Sequence, residues 1–140
     1  MPVGTKNKRI PGCGAHHISI QTRDLTKSLQ VYRDVLGMEV AAEFGSPERP
    51  VVLLDMGDGS HIELVGGTSA SQVADPRSPQ DPILHFALAT TNTRLAIERV
   101  RESGCEVTVE PRDVDLKGLS ATIAFFKGPN GEEIEFFQTH

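Results

Sequence analysis

The chain has 140 residues, 38% of them apolar and 24% charged, with a formal net charge of −5. That is enough chain to bury the core of one ordinary domain, and charges of both signs interleaved along it exclude the basic footprint of a nucleic-acid binder. No apolar run approaches the ~20 residues of a membrane span.

From the N-terminus, MPVGTKNKRIPGCG is basic and lacks the apolar core of ~7–15 residues that a secretory leader carries, so the cytoplasm is the expected compartment. Cys13 and Cys105 form neither a CxxC pair nor a disulfide framework, and no role is assigned to them. His17 to Gln21 reads as a strand. Leu25, Leu29, Tyr32 and Leu36 recur at i, i+4, i+7 and i+11, which predicts a helix with Asp24 as its N-cap, Gly37 as its stop and Tyr32 in the core. A strand begins near Val40. Val51 to Met56 is an apolar, β-rich run followed by Gly57-Asp58-Gly59 and a further strand through Ile62 and Leu64, a hairpin signature. Residues 67–82 lack periodicity and are rich in Gly, Ser, Pro and Asp, so they read as a linker. The pattern then repeats. A strand opens at His85, a helix spans Arg94 to Glu102 with Asn92 or Thr93 as cap and Gly104 as stop, and a strand begins near Val107. Pro111 to Leu119 reads as a loop, and Thr122 to Lys127 is followed by Pro129-Asn130-Gly131 and a last strand.

The order of elements is therefore β-α-β-β-β twice, module one over about 14–66 and module two over about 83–140, in one α+β domain. Side chains on a strand alternate between faces, so parity sorts the residues. Ile18 and Ile20, Ile62 and Leu64, Phe86 and Leu88, and Ile134 and Phe136 must face the helices. His17, Glu63, His85 and Glu135 then share the opposite kind of face. Burying a carboxylate costs several kcal/mol unless it is paired or bound to a cation. Two carboxylates and two imidazoles at equivalent positions of a duplicated unit point to a metal site, since this donor mixture suits first-row transition ions. Ser19 and Gln21 share the face of His17, and Phe137 shares that of Glu135, where its ring offers an apolar wall to a small molecule. His61 has the parity of Glu63. It is expected as a solvated strand residue beside the hairpin, with a place in the site as the alternative. His16, by parity, falls on the isoleucine side or frays into solvent.

The segments HISIQTRDLTKSLQVYRDVLGMEV (17–40), GDGSHIELV (57–65), LHFAL (84–88) and IAFFKGPNGEEIEFF (123–137) resemble the vicinal oxygen chelate superfamily, which includes glyoxalase I, extradiol dioxygenases, methylmalonyl-CoA epimerase and bleomycin-resistance proteins. The resemblance implies two tandem βαβββ modules that form a cupped mixed sheet with helices on the outer face, a homodimer, and one divalent ion (Ni, Co, Zn or Mn) on His17, Glu63, His85 and Glu135. Two imidazoles and two carboxylates resemble the glyoxalase I set, where a glutamate ligand moves a proton between neighbouring carbons. Glu135 is expected in that role, with Glu63 as alternative or partner. A dioxygenase needs only two histidines and one carboxylate on iron, and the epimerase has glutamine at the second ligand position. The resemblance implies arginine four residues after the first ligand in enzymes that grip glutathione. Here that residue is Gln21, which leaves the thiol cofactor open. The alternatives to a glyoxalase I-type lyase or isomerase are an epimerase of the same superfamily and a binding protein that sequesters a drug without turnover.

Overall fold

In a computed structural model, residues 6, 8–10, 15–67, 85–116 and 119–140 are described. Cys13 and nearly all of the expected linker lie outside them. Two units separate at residue 73, and each carries its own four-stranded mixed sheet.

In the first unit β1 (His17–Gln21) leads to α1 (Leu25–Leu29), then to β2 (Glu39–Gly45), β3 (Pro50–Asp55) and β4 (His61–Val65). Asp24 caps α1 as expected, accepting a hydrogen bond from the Lys27 amide at 3.1 Å. The predicted single helix is correct in extent but not in geometry. Beyond Leu29 the chain continues as a wider π-type segment, Gln30–Val35, which ends on a Leu36 amide donating to the Val31 carbonyl, five residues back. Gly37, at φ +79°, then turns the chain in a conformation that costs a glycine least. The sheet order is β1-β4-β3-β2, with β1 parallel to β4 and the other neighbours antiparallel. Tyr32, Leu54, Ile62 and Leu64 are fully buried and form the core between helix and sheet.

The second unit repeats this plan. β5 (Phe86–Ala89) leads to α2 (Thr93–Glu102), then to β6 (Val107–Leu116), β7 (Leu119–Lys127) and β8 (Glu133–Thr139), in the order β5-β8-β7-β6. Asn92 is the cap of α2, its side chain accepting from the Leu95 amide at 3.0 Å. Ile97 and Val100 of α2 pack with Phe126 and Ile134 in a core closed to water, and the Phe126 ring stacks on Phe136 at 5.2 Å. Each adjacent phenylalanine pair splits as alternation requires. Phe126 and Phe136 are buried, whereas Phe125 and Phe137 are only half-buried on the other side.

The hairpin loops 56–60 and 128–132 are of equal length and contain the Asp-Gly and Asn-Gly pairs. The expected loop from Pro111 to Leu119 is largely strand: β6 runs to Leu116 and β7 starts at Leu119. Proline fits there because β6 is an edge strand and the pairing register shifts between Val109 and Arg112, where no ladder bond is required of residue 111. Among the described residues no helix is long and apolar enough to cross a membrane.

Candidate functional site

In the first unit, strand pairing decides which side chains meet. β1 and β4 run parallel with His17 opposite His61 and Ser19 opposite Glu63. Partners in a ladder point to the same face, so His17, Ser19, Gln21, His61 and Glu63 share the face that parity assigned them. Burial along β1 alternates accordingly, His17, Ser19 and Gln21 being exposed and Ile18 and Ile20 partly covered. The Ser19 hydroxyl donates to Oε1 of Glu63 at 2.9 Å. This bond fixes one oxygen of a half-buried carboxylate.

His61 departs from expectation. It is only 5% exposed, not solvated. The reason is His16, whose ring stacks on His61 with centroids 5.4 Å apart and whose carbonyl accepts from the His61 amide at 2.8 Å, with the His61 Nδ1 at 3.3 Å. His16 in turn does not lie on the isoleucine side; it is exposed, as the solvent alternative has it, but its ring is held in place. Its Nδ1 is 2.8 Å from Nδ1 of His17, and the two rings meet edge to face. Residue 16 precedes the first ladder pair of β1, so strand alternation does not fix its side chain.

The second unit reproduces the arrangement with different neighbours. Ala87 is opposite Glu135, as Ser19 is opposite Glu63, and His85 precedes Ala87 by two residues, as His17 precedes Ser19. His85 Nε2 and Glu135 Oε2 are 3.0 Å apart. Ala87 has no hydroxyl, so the imidazole takes the place that Ser19 takes in the first unit. Glu135 is 7% exposed, and Phe125 is its partner across β7 and β8. The Phe125 ring meets His85 edge to face at 5.2 Å. Phe125 is not among the site residues expected from the sequence; the register of the β7–β8 hairpin is the signal that puts it on the face of Glu135. Phe137 lies two residues along β8 from Glu135, on the same face, and is half-buried. Among the described residues no three His, Cys, Asp or Glu side chains gather within one unit as a metal-binding group. At matched positions each unit brings a histidine and a glutamate to one face, His17 with Glu63 and His85 with Glu135, and the first unit adds His61. Cys105 is a free, partly covered thiol that takes no part.

A family model described as the Glyoxalase/Bleomycin resistance protein/Dioxygenase superfamily matches residues 14–136. The chain belongs to this superfamily. Its relatives include the lactoylglutathione lyase of Salmonella typhimurium, 32% identical over 87% of this chain and 90% of that protein, and the lactoylglutathione lyase of Haemophilus influenzae, 33% identical over the same shares. Among solved structures, a glyoxalase family protein from Enterococcus faecalis has a TM-score of 0.73 at 25% identity, covering 89% of this chain and 96% of that one. Glyoxalase I from Zea mays shares the fold, with a TM-score of 0.68 at 23% identity over 89% of this chain and 44% of that one. The superfamily's two-module α+β fold is thus present, and the match to several lactoylglutathione lyases over most of the chain supports a glyoxalase I-like enzyme.

Proposed function

We propose that the protein holds a divalent ion on His17, Glu63, His85 and Glu135, and that it is a glyoxalase I-type lyase or isomerase of a small α-oxo or hemithioacetal substrate. What supports the ligand set is the repeated register: in each unit a histidine stands two residues before the strand partner of a glutamate, on the face opposite the helix. The donors fit such an ion by their chemistry. Two neutral imidazoles and two carboxylates suit Ni²⁺, Co²⁺, Zn²⁺ or Mn²⁺, and the buried Glu135 carboxylate, with His85 Nε2 3.0 Å away, needs a cationic or hydrogen-bonding partner. Names of the relatives at 31–33% identity support the reaction class.

When bound, the ion supplies Lewis-acid polarisation of two vicinal oxygens of the substrate. The chain's own residues do the rest. The Glu135 carboxylate takes a proton from one carbon and returns it to the neighbouring carbon, an isomerisation with no net change in electrons. Glu63 is the alternative base or a partner: each carboxylate has one oxygen engaged, Oε1 of Glu63 by the Ser19 hydroxyl and Oε2 of Glu135 by the His85 imidazole. Phe137 and Phe125 border the site with apolar surface that keeps water from the carboxylate and packs on the substrate. Ser19 and Gln21 are proposed as substrate contacts from the first unit, on the face of its sheet that carries His17 and Glu63. The homodimer and the cytoplasmic setting are further parts of the proposal, motivated by the family.

Gln21 favours keeping a second reading. An amide offers no bidentate, charge-assisted grip on a carboxylate, so a substrate carried on a thiol other than glutathione, or an epimerase substrate, fits the same residues. The test is isomerisation of the methylglyoxal hemithioacetal with a panel of thiols and each of the four ions. Turnover with at least one pair is expected, falling about 10²–10⁴-fold in Glu135→Gln. Absence of turnover with every pair would move the assignment to the epimerase or to a non-catalytic drug-binding protein.

A further inference from the structure

The contact between His16 and His17 has no counterpart in the second unit, where residue 84 is leucine. In the first unit the backbone anchors it twice. The His16 carbonyl takes the His61 amide at 2.8 Å, and the His16 ring lies on the buried His61 ring, so His16 is held from beneath while its Nδ1 reaches Nδ1 of His17 at 2.8 Å. Two ring nitrogens at that distance share one proton: one donates and the other accepts. Nδ1 of His17 is therefore occupied, and Nε2 is the nitrogen left to bind anything else. A nitrogen that carries a proton cannot ligate a cation, so Nε2 is usable only if the proton of His17 is on Nδ1 and His16 is the acceptor.

We propose that His16 is a positioning residue, accepting the Nδ1 proton of His17 and so holding that imidazole in the tautomer that leaves the Nε2 lone pair for a metal ion. The inference rests on the ligand reading given above for His17. Partners of this kind, bonded to the non-ligating nitrogen of a histidine, fix ring orientation and raise its donor strength, and their loss weakens metal binding by about 10–100-fold. Carboxylates, carbonyls and water usually serve; here a second imidazole does, supported by a third. His61 thereby acts as the floor under His16 rather than as a contact for the substrate.

The test begins with metal-free protein. Long-range proton–nitrogen NMR of the imidazoles, at about pH 8.5 and so above the ordinary imidazole pKa of ~6.5, is expected to show His17 protonated on Nδ1 in the wild type. In His16→Leu, which removes the acceptor, His17 should shift toward the Nε2-protonated form. A wild-type His17 protonated on Nε2, or a tautomer unchanged by His16→Leu, would overturn the proposal. Titration with Co²⁺ alone supplies the second readout: His16→Leu should bind about 10–100-fold more weakly than the wild type, and His16→Asn, whose side-chain oxygen can accept the same proton, should recover most of that loss. Equal affinity in all three proteins, or equal losses in both variants as expected of lost packing on His61, would also overturn it. If the wild type binds no Co²⁺, the ligand reading fails and the purpose given to His16 falls with it, whereas the NMR result still decides whether the contact sets the tautomer.

Discussion

Glu135 is a carboxylate only 7% exposed, held 3.0 Å from the His85 imidazole and opposite Phe125 in its ladder. Its parity with Ile134 and Phe136 gave its face correctly, because alternation is a property of the extended backbone and needs no knowledge of neighbours. Its partner was not legible in the same way. That His85 closes to 3.0 Å on Glu135 while Ser19 reaches Glu63 follows from the residue opposite each glutamate, alanine in one unit and serine in the other, and so from strand register. The burial of His61 was not legible for a related reason: His16 precedes the ladder and escapes alternation, and its ring covers His61. The His85–Glu135 pair predicts a stability effect. His85→Ala leaves a buried carboxylate without its imidazole, a loss of ~1–3 kcal/mol for fully buried pairs; with the His85 side chain 40% exposed, water can replace it in part, and about 1 kcal/mol is expected. Urea unfolding of the metal-free protein measures it, and an unchanged midpoint would show that water satisfies Glu135 unaided.

At the scale of elements, helices and hairpins were legible because their signals are local. Caps, glycine stops and turn pairs lie within a few residues of what they control. Asn92→Ala is expected to cost about 1 kcal/mol through loss of the bond to the Leu95 amide, read as a lower Tm. Asn92→Ser should retain most of the stability, since a hydroxyl can accept from the same amide. The strand across Pro111 was not legible, since whether a proline is tolerated depends on which edge of the sheet receives it. The hairpins also carry an acid sensitivity. The Ser60 hydroxyl and then its amide hold the Asp58 carboxyl below the usual carboxylate range, and the Thr122 hydroxyl does the same for Asp113 between β6 and β7. A carboxyl with a depressed folded-state pKa binds fewer protons folded than unfolded as the pH falls. Its contribution is complete above the ordinary carboxylate pKa of about 4 and is lost as the pH drops through the depressed value. The Asp58→Asn/Asp113→Asn double variant should therefore lose less Tm than the wild type on acidification below that point. Parallel Tm curves would show that these bonds do not contribute.

For the whole molecule, duplication was the most informative signal in the sequence. Two βαβββ units with matched registers and matched hairpin loops place a histidine and a glutamate at equivalent positions on one face of each sheet, and the chain belongs to the superfamily whose model spans both units. Substrate identity was not legible, because it depends on side chains such as Gln21 whose meaning is set by the ligand they meet. The account depends on the four residues acting together on one ion. The most direct measurement is metal bound after equilibrium dialysis against Co²⁺, for the wild type and for His17→Ala, Glu63→Gln, His85→Ala and Glu135→Gln. Stoichiometric metal in the wild type and a loss in every variant, including those from both units, is the predicted result. No metal in the wild type, or full retention when both residues of one unit are replaced together, would contradict it.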